Sequence, residues 1–245
     1  MKRFLHLTAI SIASWAIAVT IPSLSAAISA KEAPIMLSQN VNFKPPNVTA
    51  PGNRQGATHR GDACKPDLSI TPLVPESKIG LTLAEAPTIF AYISQTSAQI
   101  EFVLQSENGE NVVYETAFKM DKPGIVGVTI PAAAGDKKSL EVGKRYQWSF
   151  SVICNPKDRS GDSFVKGWVQ RIEAQPSLKQ DLAKPDPMAK LTAYAANGIW
   201  YETVATLADL RRKAPNDAKL TAEWEQLLRS QKLDSIAAQP LVQSF

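Results

Sequence analysis

The sequence predicts a mainly β protein with a C-terminal α region: an antiparallel immunoglobulin-like β-sandwich followed by a short helical-hairpin unit of the tetratricopeptide type. Three observations carry this. From Pro66 to Glu173 apolar side chains recur with period 2, in seven or eight short runs about ten residues apart, the spacing of a sandwich. Past Pro176 the spacing lengthens toward the 3.6 residues of a helical turn. Two cysteines, Cys64 and Cys154, bracket most of the β-rich part.

The chain opens on an export signal. Lys2 and Arg3 precede an apolar run over 5–21 without formal charge, Pro22 breaks it, and small residues follow through Ala30. That order is the signal-peptide pattern, and the run is shorter than the ~20 residues a spanning helix needs. Small residues at Ser25 and Ala27 fit cleavage after residue 27, with 1–27 as the expected signal peptide, though several neighbouring bonds fit as well. No second apolar stretch is long enough to span a bilayer, so no stable membrane span is expected after cleavage, and the expected location is periplasmic or secreted.

Residues 28–63 are expected to be a disordered lead. They hold Pro34, Pro45, Pro46, Pro51, Gly52, Gly56 and Gly61 and little apolar periodicity, too little to offset the entropy of ordering. The β-sandwich domain is then expected over 64–175. Its runs lie at 68–74, 79–83 and 88–93, then at Ala98, Ile100, Phe102 and Leu104 on one face. Asn108-Gly109 predicts a tight turn into 112–118, making a hairpin. Runs at 125–130, at Tyr146, Trp148, Phe150, Val152 and Cys154, and at Phe164, Trp168 and Ile172 complete the set. The phase of Trp148 and Trp168 with apolar neighbours predicts core positions for both.

The C-terminal helical region is expected over 176–245. Val204, Leu207 and Leu210, then Leu220, Trp224, Leu227 and Leu228, carry helical spacing. Pro185 and Pro187 interrupt the first stretch, Asn197-Gly198 reads as a helix stop, and Pro215-Asn216-Asp217 as the turn into the last helix. One helical hairpin cannot close its own core, so it is expected to dock on the sandwich or on a partner. Trp200, Tyr201 and Trp224 are the candidate contact residues, either joining the helices to the sandwich or presenting a partner surface.

Order and spacing of short motifs resemble a known family. These are Gly61-x-x-Cys64, Leu73-x-Pro75, Gly80-x-Thr82 and Pro87-Thr88-x-Phe90-x-Tyr92, then Ala98-x-Ile100-Glu101-Phe102-x-Leu104. Leu140-x-x-Gly143-x-x-Tyr146-x-Trp148-x-Phe150, Cys154-Asn155-Pro156 and Gly198-Ile199-Trp200-Tyr201 follow. Together they are similar to the domain-of-unknown-function family 928 of exported cyanobacterial proteins, over residues 56 to 238. The resemblance implies export, a sandwich-like core with a helical tail, and no assigned activity or catalytic residue.

Composition narrows the function. Removing Lys2 and Arg3 from 27 basic residues leaves 25 against 23 acidic ones, scattered along the chain, so no nucleic-acid partner is expected. In an exported chain two cysteines favour one structural disulfide, Cys64–Cys154, over two buried thiols. His59 is the only histidine after the signal and falls in the expected disordered lead, so neither a nucleophile–base pair nor a zinc site is expected, and no cofactor. Asp158 to Asp162 holds oxygen ligands but lacks the length and closing glutamate of a calcium loop, and reads as a hairpin turn. Glu101 and Glu115 are placed to face each other across the hairpin, as carboxylates on a solvated face or as a hydrolytic pair. The expected function is therefore an exported, non-enzymatic binding or interaction module with an envelope protein or glycan as partner. The alternative is a carboxylate-dependent hydrolase of envelope glycans or peptides. Carboxylates converging in a deep cleft would favour the hydrolase, and a shallow apolar groove the binding module.

Overall fold

A computed structural model describes residues 41–51, 68–94, 99–120, 122–132 and 139–245. The predicted signal peptide, His59 and Cys64 lie outside these described residues. Within them eight strands are followed by five α-helices and then a ninth strand. The strands are β1 (Ile70–Pro72), β2 (Ile79–Thr82), β3 (Thr88–Ile93), β4 (Gln99–Ser106), β5 (Val112–Lys119), β6 (Gly124–Thr129), β7 (Arg145–Ile153), β8 (Ser163–Arg171) and β9 (Leu241–Ser244). The helices are α1 (Pro176–Leu182), α2 (Pro187–Ala196), α3 (Trp200–Lys213), α4 (Ala218–Ser230) and α5 (Asp234–Ala237).

The strands form two sheets, ordered β2-β8-β7-β4-β5 and β1-β3-β6-β9. Alternation built β4 and β7 as expected: Ile100, Phe102 and Leu104 pair with Val152, Phe150 and Trp148, and all six are buried. They share one core with Ile89, Ile93, Ile125 and Val128 of the second sheet. The sheets are mixed rather than antiparallel throughout. β2 runs parallel to β8, and β9 parallel to β6, each arriving after a long intervening stretch, as parallel neighbours require. β9 lies inside the region expected to be helical. Its four residues follow Pro240, and Gly124, at φ +153°, lets them approach: a side chain there would meet Val242 and the Pro240 carbonyl at 2.6 and 2.7 Å.

Trp148 and Trp168 part company. Trp148 is fully buried, whereas Trp168 is half-exposed on the outer face of β8 and donates its indole N–H to the Pro51 carbonyl at 3.1 Å. The inner face of β8 is Val165, Gly167 and Val169, with Gly167 directly beneath the Trp148 ring. A strand carrying apolar residues on both faces offers two phases, and the aromatic phase is the outer one.

Helix ends follow local chemistry. Pro187 begins α2 instead of breaking it, because the first turn needs no N–H there, and Asp186 caps the Met188 amide at 3.0 Å. Gly198, at φ +70°, ends the turn after α2. Asp217 caps α4 through the Lys219 and Leu220 amides.

Residues 41–51, expected within the disordered lead, run as an extended strap against the helices. Val41 and Phe43 are buried, the Val41 amide donates to Glu223 Oε2 at 2.8 Å, and the Lys44 amide to the Ala195 carbonyl at 3.0 Å. Phe43 packs edge-on against Trp200, with centroids 5.0 Å apart. Proline-rich composition hid two apolar anchors that find pockets only in the folded chain.

Candidate functional site

The three aromatic candidates lie in the packed interior. Trp200, Tyr201 and Trp224 expose 0, 1 and 0% of their surface. Trp200 donates its indole N–H to the Leu73 carbonyl at 2.8 Å. The Tyr201 hydroxyl accepts from Trp148 Nε1 at 2.8 Å and donates to the Trp168 carbonyl at 2.9 Å; burial pushes this phenol's pKa far up, so it stays protonated. Both rings close over Gly80 of β2, where an added Cβ would come within 2.5 Å of Tyr201. Trp224 lies beneath the Arg211 guanidinium, 5.3 Å from the ring centroid.

Beside this joint stands a group the sequence reading missed. Glu202 Oε1 accepts from Thr82 Oγ1 at 2.7 Å and from the amides of Leu83 and Ala84 at 2.8 Å each. Glu202 Oε2 is shut from solvent and has no hydrogen-bond partner among the described residues. Burial pushes the carboxyl's pKa up, against the pull of those bonds. Its only local signal was an acid in the first turn of a helix, which usually means a dipole partner.

Other sequence candidates are structural. Glu101 stands opposite Ala117, and Glu115 opposite Val103, so the two carboxylates are diagonal neighbours rather than a facing pair. Arg159 holds Glu101 at 2.9 and 3.2 Å. Asp158 caps a short 3-10 turn, Arg159–Gly161, through the Ser160 amide, and Asp162 accepts from the Cys154 amide at 3.1 Å. Cys154 itself is half-buried just past β7.

Two open clefts stand out among the described residues. A polar one of about 760 Å³ lies at the β4–β5 turn, where Glu141 pairs with Lys144 at 2.8 Å and Glu107 approaches Arg145 at 3.9 Å. The other, about 470 Å³, lies between β9 and the end of β5. Met120, Leu241, Val242 and Phe245 give it an apolar lining, and Lys119, Lys122 and Arg212 supply charge. Phe245 stacks on Phe118 at 4.1 Å, which holds the two sheets' ends together there. Arg212 is anchored by Asp209 at 3.1 Å and Ser244 Oγ at 2.7 Å. Among the described residues, no carboxylate side chain lines this cleft.

The family model described as Domain of Unknown Function (DUF928) matches residues 54–241. The chain belongs to the DUF928 family. That match takes in both sheets, all five helices and the first residue of β9, so for this DUF928 member the sheets and helices are one family unit. No curated protein matches the chain. Among the described residues, no group of three or more His, Cys, Asp or Glu is placed to hold a metal ion, and no helix is long and apolar enough to cross a membrane. The groove residues of this DUF928 chain come from positions near 120, 212 and 241–245, separations at which no sequence motif can announce a site.

Proposed function

We propose that this protein is an exported, non-enzymatic binding module of the periplasm or cell envelope, and that the groove beside β9 takes an acidic peptide segment with apolar side chains from an envelope protein. The observation that carries this is the groove's lining: an apolar floor and three cations, with no acidic side chain among the described lining residues. Among the described lining residues of the other cleft, the acids Glu141 and Glu107 each face a cation, Lys144 at 2.8 Å and Arg145 at 3.9 Å. Export rests on the n-region, apolar run and small residues of 1–27, and the cyanobacterial envelope on the motif resemblance.

The test uses a labelled peptide of alternating Leu and Glu as probe, with its Leu and Lys counterpart as control. The acidic peptide should bind saturably and at least about fivefold tighter, the scale of one or two exposed charge pairs. Leu241→Asp should abolish that preference. Equal binding of both peptides, or soluble fragments released from purified cell-wall sacculi, would overturn the reading.

The same reading includes a Cys64–Cys154 disulfide. It would close a loop of 90 residues, for which chain entropy gives about 4–5 kcal/mol. Cys64→Ser and Cys154→Ser should each lower the melting temperature nearly as much as the double change, and thiol labelling of the denatured, unreduced protein should find none reactive.

A further inference from the structure

β5 is the last strand of the five-stranded sheet, with β4 its only neighbour among the described residues. Its free edge can be read residue by residue. The Arg171 amide donates to the Lys144 carbonyl, and the Gly143 amide to the Arg171 carbonyl, so Arg171 turns both backbone groups toward β7. Alternation through the registers of β8, β7 and β4 then turns Ile100, Phe102 and Leu104 toward β5. The Ser106 amide donating to the Asn111 carbonyl at 2.9 Å agrees with this phase. Phe118, Thr116 and Tyr114 stand opposite those three, so their N–H and C=O groups are used. Glu115, Ala117 and Lys119 therefore point theirs away from the sheet, and all three side chains are exposed. The bulge in this pairing falls at Leu104/Gln105, leaving 114–119 regular.

We infer that β5 pairs antiparallel with β5 of a second copy of this chain, about a two-fold axis at Ala117. The charge pattern favours a copy over any other partner. With Ala117 opposite Ala117, Glu115 falls opposite Lys119 of the second copy, and Lys119 opposite its Glu115. The strand is complementary to itself, with opposite charges directly across at both flanking positions and the smallest of the three side chains where identical residues must meet. All three outward-facing residues enter hydrogen-bonded pairs, giving about six interchain N–H···O bonds and one continuous sheet across the axis. Such a contact is isologous, so it consumes both free β5 edges and closes at two chains. The edge of β9 is not equivalent, because Arg212 already reaches its Val242 carbonyl at 3.4 Å.

Sedimentation velocity of the mature chain tests this over about 1–200 μM, the range of modest interfaces. Dimer should grow with concentration. Lys119→Glu or Glu115→Lys alone should weaken it about tenfold or more, and the two together should restore it, since the pairs are merely reversed. Ala117→Pro deletes an outward N–H without removing a bond to β4, and should give a monomer with unchanged circular dichroism. A monomer at every concentration, a dimer indifferent to the single charge reversals, or a double variant that fails to recover would overturn the proposal. If Ala117→Pro disturbs folding, the charge-reversal set decides alone.

Discussion

The five-stranded sheet has two edges, and the chain treats them differently. At β2 the strand is covered: β8 pairs on one side, Trp200 and Tyr201 of α3 pack over Gly80, and Glu202 binds Thr82 and the residues that follow the strand. The Thr82 carbonyl accepts from the Ile172 amide at 2.8 Å, and the Leu83 and Ala84 amides just beyond the strand donate to Glu202. At β5 nothing further pairs among the described residues, side chains alternate between buried Phe118 and exposed Ala117 and Lys119, and an apolar groove opens beside it. Stability is concentrated at the first edge, and surface suited to recognition at the second. Beside that first strand, Glu202 Oε2 is a buried oxygen with no hydrogen-bond partner among the described residues.

Trp200→Ala should show the largest effect. It empties the centre of the joint and leaves the Leu73 carbonyl unpaired, for a loss of about 3–5 kcal/mol in denaturant unfolding. Tyr201→Phe should cost less, about 1–3 kcal/mol, because it strips one hydroxyl from between Trp148 Nε1 and the Trp168 carbonyl while keeping the ring. A loss below ~0.5 kcal/mol in either variant would mean the covered strand is not where stability resides.

Glu202→Gln sharpens the comparison through pH. The folded carboxyl's pKa is raised, so the native state holds a proton that the unfolded chain has released. Below the unfolded value, near 4.5, both states are protonated and burial costs no charge. As pH rises through the raised folded value, that share of stability is lost. Glu202→Gln removes the decline, so its stability relative to the parent should improve between pH 4 and 8. A relative stability that falls over this range would reverse the sign. At the other edge, Val112→Thr, at a position 52% exposed, should change stability by less than ~0.5 kcal/mol.

How far each edge could be read in advance follows the same division. β4 and β7 were legible because their alternation is strict and one face is buried. The docking of Trp200 and Tyr201 was legible as one of two options, since large apolar side chains on a lone helical hairpin must cover something. Trp168 misled because β8 is apolar on both faces, and only register with Trp148 chooses between them. β9 was illegible: Leu241 to Ser244 carries no local strand signal, and its partner β6 lies more than a hundred residues earlier. The strap failed for the opposite reason, its prolines masking Val41 and Phe43. The groove inherits both difficulties, because it exists only once β9 is in place.

Residue-resolved amide hydrogen exchange across a dilution series tests the contrast between the edges most directly. The Gly80 and Thr82 amides of β2, which point at β8, and those of Thr116 and Phe118, which point at β4, should stay protected at every concentration. Those of Glu115, Ala117 and Lys119 should exchange fast in dilute solution and slow as concentration rises. Protection of all three at the lowest concentration would mean that the chain covers its own β5 edge, and would contradict the account; so would fast exchange of the Gly80 and Thr82 amides.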